Sequence, residues 1–156
     1  MQPRLNFFQA SPEIIKAVRT LNQAVDTCGL EKSLLHLVKL RASQINGCSY
    51  CVDMHSREAR EDGDSEQRVL LVAAWRESPL YSERERAAFA WTEKLTRLSQ
   101  TAMVEDEEFE EARKHFSEDE LVKLSVAIGM INVWNRLCVP FRSIHPVKTE
   151  SRAAAE

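Results

Sequence analysis

One stretch of this sequence combines residue types and spacings that can do chemistry: Gln44-Ile45-Asn46-Gly47-Cys48-Ser49-Tyr50-Cys51-Val52-Asp53-Met54-His55. On a helix, residues three, four and seven apart share a face, so Cys48, Cys51 and His55 all project to one side. Gly47 breaks the preceding helix and sets the cysteines in the first turn of the next. There, unpaired N–H groups and the helix dipole favour negative charge. A thiolate is such a charge; it is the nucleophilic form of cysteine, and a neighbouring imidazolium favours it further. Once Cys51 attacks a peroxide oxygen it becomes a sulfenic acid. Cys48, one turn away, can condense with it to a disulfide, and an external dithiol would reset the pair. His55, with an intrinsic pKa near neutrality, can accept the thiol proton or donate to the departing alkoxide.

Two other readings use the same residues. Cys48, Cys51 and His55 supply three zinc ligands, and His36 could complete four. Most structural zinc sites, however, join two separated ligand pairs, and this is one compact cluster. The thiols could also be inert core residues. That is the reading given to Cys28 and Cys138, since nothing near either in the sequence suggests activation. His115 and His145 are expected at the surface or in loops, and Trp75, Trp91 and Trp134 as core or subunit-contact anchors.

The elements that position this cluster read as helices. Four glycines and five prolines in 156 residues leave long uninterrupted segments rich in helix formers. Ser11-Pro12-Glu13 starts one helix, and Gly29 can end it. A second is expected over about Glu31 to Ile45 and a third from Cys48 to about Glu61, an antiparallel hairpin about Asn46-Gly47. Ser65 caps a fourth through Trp75. Ser82-Glu83-Arg84-Glu85 and Ser117-Glu118-Asp119-Glu120 are capping boxes, each opening a further helix. The last runs from Glu118 to about Cys138, with Pro140 as its stop. The acidic run Glu105 to Glu111 reads as a solvated helix face. The expectation is an all-α, compact bundle of about six to seven helices: a single domain over 1–150 with the C-x-x-C at the start of a central helix, and a frayed tail over 151–156.

Composition excludes other classes. A formal charge of −3 gives no basic surface for nucleic acid. No apolar run reaches the roughly 18 residues of a membrane span, so no membrane association is expected. Met1 to Ala10 lacks the order of a secretion signal, and the expected location is cytoplasmic. No glycine-rich nucleotide loop is present, so no cofactor is expected.

The run Leu37-Val38-Lys39-Leu40-Arg41-Ala42-Ser43-Gln44-Ile45-Asn46-Gly47-Cys48, with Cys51 and His55, resembles the core of AhpD-type alkylhydroperoxidases in the carboxymuconolactone decarboxylase superfamily. The ending Ile131-Asn132-Val133-Trp134-Asn135-Arg136 is similar to that of the family's small single-domain members. The resemblance implies an all-α fold assembling as a homo-trimer or homo-hexamer. It also implies hydroperoxide reduction with Cys51 meeting peroxide, Cys48 resolving, and a lipoyl- or thioredoxin-like dithiol protein as reductant. The decarboxylase branch lacks the cysteine pair. The family's enzymes carry a glutamate at the position of His36, as part of a proton relay. In the expected hairpin His36 and His55 lie at matching distances from the bend, so His36 can stand in as relay partner. Glu83 or Glu85, arriving from another helix, could replace the missing carboxylate. The competing functional classes are a redox-sensing oligomer and a zinc-stabilised structural domain.

Overall fold

The computed structural model describes residues 2–147, so the tail over 151–156 lies outside the described residues. Among these there are nine α-helices, one 3-10 turn and no strand. They are α1 (Phe7–Ala10), α2 (Pro12–Asp26), α3 (Lys32–Ile45), α4 (Ser49–Glu61), α5 (Glu66–Leu71), α6 (Glu83–Thr96), α7 (Leu98–Thr101), α8 (Asp106–His115) and α9 (Glu118–Phe141), with the 3-10 turn Val72–Ala74 after α5. The elements beyond the six or seven expected are short: α1 and α7 have four residues each.

Helix α3 is the axis of the bundle. Nine of its fourteen residues are buried, because α4, α6 and α9 cover it on different sides. On one side Leu34, Leu35 and Val38 pack with Trp91, Phe116, Leu124 and Ile128. On another, Leu37 and Leu40 pack with Ala59, Val72, Trp75 and Phe89. A third cluster places Cys48 and Cys51 against Phe7, Ile15, Ala42, Ile131 and Cys138. At roughly 1.5–3 kcal/mol per buried aliphatic or aromatic side chain, these clusters hold α3 and α4 in place.

Both capping boxes form as read, at Ser82 with Glu85 and at Ser117 with Glu120. Three boundaries differ. Cys48 is not in α4 but caps it. The fourth helix stops at Leu71, and the tighter 3-10 turn that follows carries the chain to a buried Trp75, whose indole N–H donates to Glu93. Helix α9 continues through Pro140 to Phe141. In the last turn the missing proline N–H costs one bond only, and Arg142, at φ 57°, closes the end as its N–H and that of Ser143 return to Val139 and Cys138.

Helix α9 also corrects the expectation that no segment could span a membrane. By length and composition alone it is long and apolar enough. Here it packs against α2, α3, α4 and α6. Its inward polar residues are bonded: Asn135 donates to Ser43 at 3.1 Å, and Asn132 to Thr96 at 3.2 Å.

Candidate active site

The bend between α3 and α4 is built by Gly47. At φ 66° it takes the left-handed conformation that the turn requires. The N–H of Gly47 then bonds the Gln44 carbonyl, and that of Cys48 bonds Ser43, a helix-ending pair of bonds. Asn46 fastens the bend to α9, its amide donating to Asn132 at 3.0 Å and Asn135 at 2.8 Å. The polar residues flanking the cysteines thus position them. Arg41 has a similar part: it donates twice to Glu93 of α6, at 2.8 and 2.6 Å.

Cys48 and Cys51 are joined as a disulfide, with Cα atoms 5.3 Å apart. Both are buried, but they are not equivalent. The Cys51 N–H donates to the Cys48 sulfur at 3.3 Å, so Cys48 is held as the cap of α4. Only Cys51 of the two lines a cavity of about 840 Å³, a volume suited to a small organic ligand. Its apolar wall includes Phe7, Phe8, Met54, Met130, Trp134 and Phe141, and its polar wall His36, Lys39, His55, Glu58 and Asp62.

His55 is buried, and its Nδ1 lies 2.8 Å from Glu58 Oε2. Burial, working against the Glu58 bond, holds the His55 pKa below its ordinary value, so the ring is neutral at pH 7. Burial pushes the Glu58 carboxyl upward, but the His55 bond and the charges around it leave its pKa below the usual range. An ionised carboxylate only accepts, so Nδ1 carries the proton and Nε2 the lone pair. That Nε2 is buried without a hydrogen-bond partner. It is a base with a vacant lone pair.

His36 comes to the same carboxylate from α3. Its Nδ1 is 3.7 Å from Glu58 Oε2, and its Nε2 is 2.5 Å from Asp62 Oδ2. Asp62 also takes Lys32 at 2.7 Å, and the hydrogen bonds from Lys32 and His36 hold its carboxyl below the usual range. Glu58 therefore stands between the two histidines, and this carboxylate escaped the sequence reading. Glu85 is instead engaged with Arg68 and its own cap, and Glu83 is exposed. The signal was present. Cys48, Cys51, His55, Glu58 and Asp62 repeat at spacings of three and four, a single stripe along α4.

Among the described residues, potential metal donors fall into two sets, each with ligand atoms within 4.8 Å of one another: His36, His55 and Glu58, and Cys48, Cys51 and Cys138. The zinc alternative drew on both cysteines and both histidines together, and the structure divides them. Cys138, read as an inert core thiol, is buried as expected but stands beside the pair. Cys28 is half-buried against the main core. His115 ends α8, and His145 lies in the C-terminal loop. Trp75 and Trp91 are core residues, whereas Trp134 lines the cavity.

The sequence pattern of the carboxymuconolactone decarboxylase family matches residues 12–94. The uncharacterized protein YdfG of Bacillus subtilis is 34% identical over 139 residues, covering 89% of this chain and 94% of its own length. A solved protein of unknown function from Agrobacterium tumefaciens, proposed there to be an antioxidant defence protein AhpD, is 52% identical. The match covers 94% of this chain and 100% of the other, with a TM-score of 0.91. The debrominase Bmp8 shares the fold at 22% identity, with a TM-score of 0.77 over 90% of this chain and 75% of the other.

Proposed function

We propose, for a chain that belongs to the carboxymuconolactone decarboxylase family and has an AhpD-like all-α fold, that it is a thiol-dependent peroxidase acting on hydroperoxides small enough for its cavity. The observation that carries this reading is the asymmetry of the pair: Cys51 opens on the cavity while Cys48 stands behind it within bonding reach. Cys51 thiolate attacks the distal peroxide oxygen, the O–O bond breaks, and an alkoxide leaves as Cys51 becomes a sulfenic acid. His55 Nε2 takes the thiol proton beforehand and returns it to the alkoxide. Cys48 then displaces hydroxide from the sulfenic acid, giving the disulfide and water. A lipoyl- or thioredoxin-like dithiol protein, acting in the cytoplasm, reduces the disulfide.

The test is steady-state consumption of cumene hydroperoxide with excess dithiol. Many turnovers per chain are expected. Oxidation that stops after one equivalent would mark a redox sensor instead, and the enzyme reading would fall.

In this scheme Glu58 fixes the His55 tautomer and steadies the imidazolium that forms, with His36 poised beyond the same carboxylate. Glu58→Gln keeps an acceptor oxygen but removes the charge that raises the His55 pKa. That pKa, already below 6.5, then falls further. The acid limb of the pH–rate profile should move to lower pH, with the plateau rate lowered on the order of 10²-fold. A limb that stays in place or moves upward would remove Glu58 from the relay.

A further inference from the structure

Cys138 is one turn beyond Asn135 on α9, and the bonds from Asn46 to Asn132 and Asn135 bring that part of α9 against the cysteine turn. Its sulfur lies within 4.8 Å of both Cys48 and Cys51 sulfurs. It shares the cavity wall with Cys51, and all three sulfurs belong to one buried cluster. The remaining gap is small. Cys138 sits in the last turn of α9, where Pro140 has removed one backbone hydrogen bond, so that turn yields more easily than a regular helix.

We propose that Cys138 is a second resolving thiol, which condenses with a Cys51 sulfenic acid to form a Cys51–Cys138 disulfide. This rests on the peroxidase reading for the source of the sulfenic acid. The hydroperoxide is the oxidant in the step that makes it. In the resolving step the S–O bond of Cys51 breaks, an S–S bond to Cys138 forms, and the Cys138 proton leaves with hydroxide as water. The external dithiol then returns both thiols. Burial raises the Cys138 pKa, against a weaker opposing bond to Ser143, so at neutral pH Cys138 stays a thiol and leaves the peroxide to Cys51. Its gain is protection: sulfenic acid trapped as a disulfide does not advance to sulfinic acid.

The experiment uses Cys48→Ser, reduced and then treated with one equivalent of either cumene hydroperoxide or diamide. Peptide mapping without reductant should find Cys51 linked to Cys138 with both oxidants. Cycling with excess dithiol should continue in Cys48→Ser. In Cys48→Ser/Cys138→Ala it should stop once two hydroperoxide molecules per chain have been consumed, one to form the Cys51 sulfenic acid and one to carry it to the sulfinic acid. Absence of the linked peptide with both oxidants, in a single variant whose Cys51 a second equivalent of cumene hydroperoxide carries to the sulfinic acid, would overturn the proposal. If wild type fails to consume peroxide yet diamide links the pair, the peroxidase reading fails and the thiol pairing is supported. If wild type cycles and no link forms, the second resolving thiol alone is lost.

Discussion

Serine in place of Cys51 should lower hydroperoxide turnover on the order of 10³-fold or more, the scale on which enzymes lose activity with their nucleophile. No other thiol can take over. Cys48 does not reach the cavity, Cys138 is kept protonated by burial, and Cys28 packs against the main core without lining the cavity. A serine hydroxyl fills nearly the same space, so the fold should survive and the loss should be chemical. Reduced wild type is the proper stability reference, since the variant cannot form the Cys48–Cys51 bond. Retention of more than about a tenth of wild-type turnover would mean that peroxide is met elsewhere.

The second large effect is structural. Glu93 is buried and takes four donors: Arg41 twice, the Trp75 indole at 2.9 Å and Arg76 at 2.6 Å. Burial pushes its carboxyl upward, but the hydrogen bonds from Trp75, Arg76 and Arg41 outweigh that and leave its pKa below the usual range. Glu93→Ala would strand the Arg41 guanidinium, 12% exposed, and the indole N–H. Removing one partner of such a buried pair costs about 3–5 kcal/mol, or roughly 10 °C in melting temperature for a chain of this length. Replacing Arg41 and Glu93 together by methionine should cost less than Glu93→Ala alone, because no buried charge is left unpaired. A melting temperature within about 2 °C of wild type for Glu93→Ala would contradict this. The sign with pH follows from the lowered pKa: this contribution is complete above the unfolded value near 4.5 and is lost as pH falls through the folded one.

Local chemistry made much of the bundle legible beforehand. Ser82 and Ser117 announced their helices because a hydroxyl three residues before a glutamate satisfies two helix-start N–H groups at once. Asn46-Gly47 announced the hairpin because only a left-handed residue completes that bend. From the hairpin, the meeting of His36 with His55 followed by counting residues. Glu58 lies one more turn along the same 3-4 spacing, but a lone glutamate on an exposed-looking stretch of α4 carries no motif that marks it. What spacing could not supply is contact between distant elements. Cys138 joins the cysteine pair only through the crossing of α9 over the hairpin, and that crossing is set by apolar packing and three asparagines, Asn46, Asn132 and Asn135. Pro140 was misread for a related reason: its cost depends on where in the helix the lost N–H falls.

The most direct measurement is the number of free thiols in fully reduced protein before and after one equivalent of cumene hydroperoxide. The four cysteines should fall to two free thiols in wild type, whereas the three of Cys51→Ser should remain three. A wild-type count that stays at four, or a Cys51→Ser protein that loses two, would contradict a reaction that begins at Cys51.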